Sequence, residues 1–120
     1  METAENRNRS YELAMYIWSI LKTQMTVIMS WGLDPSKARV INNGMEIYVQ
    51  GFLHKGFVQI TLNDGTDLFE IILLSEERET VKFIEDVYLD CLVSTIDQAV
   101  EKCDNYEQRV SQYLRETQMS

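Results

Sequence analysis

Few residues in this chain have the chemistry to carry out a reaction: one histidine, His54, two cysteines, Cys91 and Cys103, and a run of carboxylates in the second half. A general base needs a proton-transfer partner, and a nucleophile needs a neighbour that activates it. His54 is followed by Lys55 and has no acidic neighbour in sequence. It sits between Gly51 and Gly56, where a hairpin tip is expected, so it reads as a solvated turn residue. Neither cysteine stands beside a base that would lower its thiol pKa. Both read as small hydrophobes on the packed side of a helix, and twelve residues of helix separate them by about 18 Å, too far to pair with each other. G-x-S-x-G, a P-loop and metal-ligand spacing are all missing from the sequence, and Gly51 and Gly56 flank a hairpin rather than a phosphate-binding turn. The expectation is a protein that is not an enzyme, with no catalytic residues, no metal and no cofactor.

The carboxylates form a pattern of their own. Asp86 and Asp90, and Asp97 and Glu101, are each four residues apart, and Asp104 extends the row. On one helical face such pairs supply only two or three oxygens, whereas calcium takes six to eight and zinc prefers nitrogen or sulfur. The net charge is −8, and it is unevenly placed: residues 1–60 hold 5 acids and 6 bases, residues 61–120 hold 14 acids and 5 bases. That balance excludes nucleic acid and anionic membranes as expected partners, because both are bound mainly through clustered Lys and Arg. It leaves an acidic stripe of Asp86, Asp90, Asp97, Glu101 and Asp104 that fits a basic protein surface. One expected function is therefore an acidic inhibitor or adaptor that occupies a nucleic-acid-binding partner.

Stepping along the chain gives the elements that position these groups. Residues 1–9 are polar and aperiodic and are expected to be disordered, which leaves 10–120 as a single domain. From Ser10, apolar residues recur at helical spacing through Leu13, Ala14, Ile17, Trp18, Leu21, Met25, Ile28 and Met29. Gly32 and Asp34-Pro35 end that helix. From Val40 to Leu74 the period becomes two. Asn43-Gly44 and Asp64-Gly65 read as type I′ turns, with a third turn at His54-Lys55. Two-residue loops then pair Val40 with Ile47, Val49 with Ile60, Ile47 with Leu62, Ile60 with Phe69 and Val58 with Ile71, all on one buried face.

The same register lays Phe52, Phe57 and Ile72 in one row of the outer face and Tyr48, Thr61 and Leu68 in another. Gln50, Gln59 and Glu70 run between them, and Arg39 lies opposite Tyr48. Two apolar rows exceed what a solvated sheet face needs, so Tyr48, Phe52, Phe57, Leu68 and Ile72 are candidate interface residues.

From Glu77 to Gln118 a three-four alternation predicts one long helix, with its weakest point at Asp104-Asn105. Forty helical residues reach about 60 Å, against roughly 35 Å for a domain of this size. Tyr106, Val110, Tyr113 and Leu114 would then lie on an overhang that needs a cover. The expected architecture is α+β in two layers: an N-terminal helix, an antiparallel meander of three or four strands and a long C-terminal helix, with both helices on one sheet face.

The first residues, Met1 to Glu5, are polar and acidic, unlike a secretory signal, and the apolar stretch Tyr11 to Leu21 is too short to span a bilayer. A cytoplasmic interaction protein is expected. It should be homodimeric through the C-terminal helix or the outer sheet face, with a small-ligand domain using a pocket between the first helix and the sheet as a further alternative.

Overall fold

Alternation of period two builds the centre of a five-stranded antiparallel sheet. In the computed structural model, which describes the backbone of residues 4–101 and side chains from residue 7, the strands are β1 (Asp34–Ile41), β2 (Gly44–Gln50), β3 (Lys55–Asn63), β4 (Leu68–Leu74) and β5 (Thr80–Val87). They lie in chain order, β1-β2-β3-β4-β5, each antiparallel to the next. Helices α1 (Ala4–Lys22) and α2 (Met25–Ser30) precede the sheet. A 3-10 turn (Leu89–Cys91) and α3 (Leu92–Val100) follow it.

The core lies between the helices and the sheet's inner face. Met45, Ile47, Val49, Val58, Ile60, Phe69, Ile71 and Leu73 are buried from the strands, as the period of two requires. Ala14, Ile17 and Leu21 of α1, Ile28 of α2, and Leu92, Val93, Ile96 and Val100 of α3 close over them with Trp31. This is the expected α+β two-layer arrangement, with five strands rather than three or four.

The helices depart from expectation in three places. Helix α1 begins at Ala4, six residues ahead of Ser10, so residues 4–9 of the polar stretch expected to be disordered are helical. Ser10, where the apolar period begins, lies inside the helix. It is buried, and its hydroxyl accepts the backbone N–H of Asn43 at 3.0 Å, while Arg9 pairs with Asp64. These contacts tie the first turns of α1 to two hairpin tips. The expected single helix also divides at Thr23-Gln24, where Thr23 N–H and Gln24 N–H bond to the carbonyls of Ile20 and Leu21 at i−3 and tighten the turn.

The third departure is larger. Residues 80–87, expected as the first turns of a long helix, form β5. Val81, Ile84 and Tyr88 happen to fall at helical spacing, but Thr80, Val81, Phe83, Ile84 and Val87 are β-branched or aromatic and suit a pleated surface. Pairing with β4 places Ile84 beside Ile71 and Val87 beside Phe69 on the inner face. The helical stretch that follows is the nine residues of α3 within the described residues.

Every hairpin pairs out of the expected register, and each by an even number. The β1–β2 loop is Asn42-Asn43, with Ile41 opposite Gly44, so Val40 faces Met45 instead of Ile47. Gly44 is a strand residue because a Cβ there would lie 1.9 Å from the carbonyl oxygen of Ile60. Only Asn43 of this turn has a positive φ, which excludes type I′. The β2–β3 loop takes four residues, 51–54, and Ile47 pairs with Val58 instead of Leu62. The β3–β4 loop also takes four, 64–67, with Asn63 Oδ1 accepting the Gly65 and Thr66 N–H groups, and Ile60 pairs with Ile71. Shifts of two or four residues keep the side chains that remain in the strands on their predicted faces.

Candidate interaction surface

The outer face of the sheet was expected to be an apolar surface, and its β1–β3 side is closed by the protein's own charged residues. Glu46 lies at the centre of that side with its side chain 1% exposed. Arg39 Nε donates to Glu46 Oε2 at 2.7 Å, and Arg78 donates to both carboxylate oxygens at 2.9 and 3.2 Å. Gln59 Nε2 completes the shell at 3.0 Å. Burial alone would raise the Glu46 pKa; the hydrogen bonds from Arg78, Arg39 and Gln59, with the Arg39 charge, outweigh it and bring the carboxyl to about 2.

The elements explain how these groups meet. Arg39 and Glu46 face each other across β1 and β2, and Gln59 faces Glu46 from β3. Arg78 arrives from the β4–β5 turn, with a left-handed backbone (φ 66°) that folds the turn back over the sheet. Its guanidinium lies 4.1 Å from the centre of the Phe57 ring. Lys37 covers Tyr48 in the same way at 4.1 Å, and the Tyr48 hydroxyl donates to Glu76 Oε1 at 2.5 Å. That bond raises the Tyr48 pKa. Arg39 therefore pairs with Glu46, and it is Lys37 that stacks on Tyr48.

The five expected outer-face residues accordingly separate. Tyr48 is buried at 5% and packs edge-to-face on half-buried Phe57, so neither ring is free for a partner. Phe52 left the sheet for the β2–β3 loop and is 62% exposed. Leu68 sits at the end of β4 beside Asn63, half-buried, and Ile72 is half-buried next to Phe83.

The β4–β5 side stays open. Phe83 and Val81 are 49% and 61% exposed, and β5 has no neighbouring strand on its far side among the described residues. No reading of the sequence as a helix could have found this pair; the β-branched and aromatic content of residues 80–87 was the available signal.

The acidic stripe does not share one helical face. Asp86 is a strand residue at a bulge (φ 58°), Asp90 is in the 3-10 turn, Asp97 is in α3 and Glu101 caps its C-terminal end. The last two make internal bonds: Asp97 Oδ1 accepts Trp31 Nε1–H at 2.9 Å, and Glu101 Oε2 accepts the Phe52 N–H at 2.8 Å. Asp104 lies outside the described residues, as do Cys103, Tyr106, Val110, Tyr113 and Leu114.

His54 and Cys91 exchange their expected environments. His54 is buried, with Nε2 3.3 Å from the Phe57 carbonyl oxygen, because its loop folds onto the end of α3. Leu53 and His54 both donate their backbone N–H to the Val100 carbonyl, at 2.7 and 3.2 Å. Cys91, expected to be packed, is exposed at the start of α3. Among the described residues no three His, Cys, Asp or Glu side chains cluster to hold a metal, and no helix is long and apolar enough to cross a membrane.

The concave features among the described residues include an open apolar groove of about 270 Å³ between α1 and the outer edge of β1. Ala14, Met15 and Trp18 form one wall, and Pro35, Ala38, Val40 and Met45 the other, with Arg39 at the rim. Compared with known proteins, the chain matches no family model, no curated protein and no solved structure.

Proposed function

We propose that this is a small, non-catalytic cytoplasmic interaction protein that works as a homodimer, joined through the β4–β5 side of its outer sheet face. The observation that supports this reading is the exposure of Phe83 and Val81 beside Ile72, on a strand that ends the sheet among the described residues. Apolar side chains in a row along a sheet margin are a surface that a second chain covers. The β1–β3 side of the same face needs no such cover, since Arg39, Arg78 and Lys37 already lie over it.

Absolute mass by light scattering after size exclusion, over a tenfold concentration range at low and high salt, tests the reading. A species near twice the 14.0 kDa chain mass that persists in high salt is expected. Val81→Ser with Phe83→Ser should return it to the mass of one chain. A wild-type protein that stays monomeric throughout refutes homodimerisation.

The groove between α1 and β1 favours a second reading, a domain that binds a small apolar ligand. Its apolar walls and single rim charge resemble a binding cleft in composition. An environment-sensitive apolar dye should brighten on the folded protein and lose that signal in Val40→Glu; equal brightening in the variant rejects the groove.

A further inference from the structure

We propose that the dimer forms by edge-to-edge pairing of β5 with β5 of a second copy, antiparallel and centred on Ile84, so that two five-stranded sheets join into one. This rests on the homodimer reading and specifies its partner surface and register.

The sheet has two edges, and they are built differently. At β1 the chain places Pro35, which has no N–H to give. Lys37 and Arg39 of that strand turn back over Tyr48 and Glu46. Such an edge is blunted against a further strand. Strand β5 has no proline, and its outward apolar groups are uncovered by described residues: Val81 and Phe83 on the strand, with Tyr88 (61% exposed) and Leu89 (42%) just beyond it.

Charge order along β5 selects the partner and the direction. Its sequence runs Thr80-Val-Lys-Phe-Ile-Glu-Asp-Val87, with Lys82 before the centre and Glu85-Asp86 after it. An antiparallel copy centred on Ile84 sets Lys82 of each chain opposite Asp86 of the other, twice in one two-fold interface, and Phe83 opposite Glu85. A parallel copy would set Lys82 against Lys82. Residue parity agrees: an even-numbered centre keeps Ile84 against Ile84 on the inner side and brings the two Phe83 rings to diagonal positions on the outer face, within reach of each other. The bulges on β5 fall at Val81 and at Glu85-Asp86, so its ladder with β4 is regular over residues 82–84. Phe83, Tyr88 and Leu89 then supply the apolar contact that a short ladder lacks.

Exposed charges can be exchanged without disturbing the core, so the test uses them. In the full chain, Lys82→Glu should weaken self-association at least tenfold, measured by sedimentation velocity or light scattering against concentration. Adding Asp86→Lys to that variant restores opposite charges and should recover the wild-type dissociation constant. A wild-type dimer that Lys82→Glu leaves unchanged, or whose weakening the charge exchange does not repair, overturns the β5 register while the homodimer stands. A wild-type monomer at every concentration overturns both. As a second measurement, Ile84→Cys, in a chain with Cys91 and Cys103 replaced by serine, should form an intermolecular disulfide under mild oxidation, because residues facing each other across an antiparallel pair lie within disulfide distance.

Discussion

Neutralising Glu46 should cost the fold a measurable and pH-dependent part of its stability. In the folded protein its carboxyl is held at about 2, against 4.5 for the free group. At about 1.4 kcal/mol per pH unit, that difference amounts to roughly 3 kcal/mol in favour of the charged, folded form. Arg39 and Arg78 are 55% and 45% exposed, so water screens their side of the interaction, and about 1–2 kcal/mol is the magnitude to expect.

The sign follows from the lowered pKa. Stabilisation is complete above about pH 5, declines once the unfolded chain takes up its proton near 4.5, and is gone when the folded carboxyl protonates near 2. Urea denaturation of wild type and Glu46→Gln at pH 7, 4 and 2.5 measures it. The variant should be about 1–2 kcal/mol less stable at pH 7 and should approach the wild type as the pH falls. Equal stability at pH 7, or a constant gap down to pH 2.5, would show that Arg39, Arg78 and Glu46 are neighbours without consequence.

Three more outcomes follow from the packing. Asp97→Ala leaves the buried Trp31 indole N–H without its acceptor and should destabilise the protein by about 1–2 kcal/mol, seen as an earlier tryptophan-fluorescence melt; an unchanged melt refutes the bond. Gly44→Ala drives a methyl group into the Ile60 carbonyl and should cost about 3 kcal/mol in chemical denaturation, at the upper end for overpacking; a loss below about 0.5 kcal/mol would mean that β2 and β3 lie farther apart. Cys91 should react with a thiol reagent in the native protein within minutes, as read by mass spectrometry of the peptide that contains it; protection until denaturant is added would place it in the core.

How far the sequence reaches is clearest in the hairpins. Alternation and the turns assign Val40, Ile47, Val49, Val58, Ile60, Leu62, Phe69 and Ile71 to the buried face; six of them are buried, while Leu62 is half-buried and Val40, on edge strand β1, is 43% exposed. The partners differ because the turn dipeptides are not the loop centres. Asn43-Gly44 loses its glycine to a close strand contact, and the other two loops lengthen to four residues around Asn63 and Val100. Parity is fixed by the hydrophobic pattern, but an even slip costs nothing in burial and leaves no trace in it. Residues 80–87 were misread for a related reason, since Val81, Ile84 and Tyr88 satisfy a helical period while their types suit a strand.

The outer sheet face was legible only in part. Ile72 lies half-buried beside the open margin, paired with Phe83. Tyr48 and Phe57 were excluded from it by Lys37 and Arg78, and Arg78 reaches them from a turn whose backward fold no local pattern announces. The carboxylates that suggested a partner's basic groove are divided among a bulge, a 3-10 turn and two internal bonds.

The seat of α3 on the β2–β3 loop has a kinetic consequence. The Phe52–Glu101 bond joins residues 49 apart, and the Val100 carbonyl closes the same span with Leu53 and His54. Drawing together a chain segment of that length costs on the order of 3 kcal/mol in loop entropy, whereas the four hairpins close over short loops. The meander can therefore assemble while the last helix is still free, and α3 docks afterwards, once Leu92, Val93, Ile96 and Val100 find the inner face. Released in the reverse order, α3 is the first part of the chain to lift away under mild denaturant, and amide hydrogens along it should exchange before those of β3 and β4.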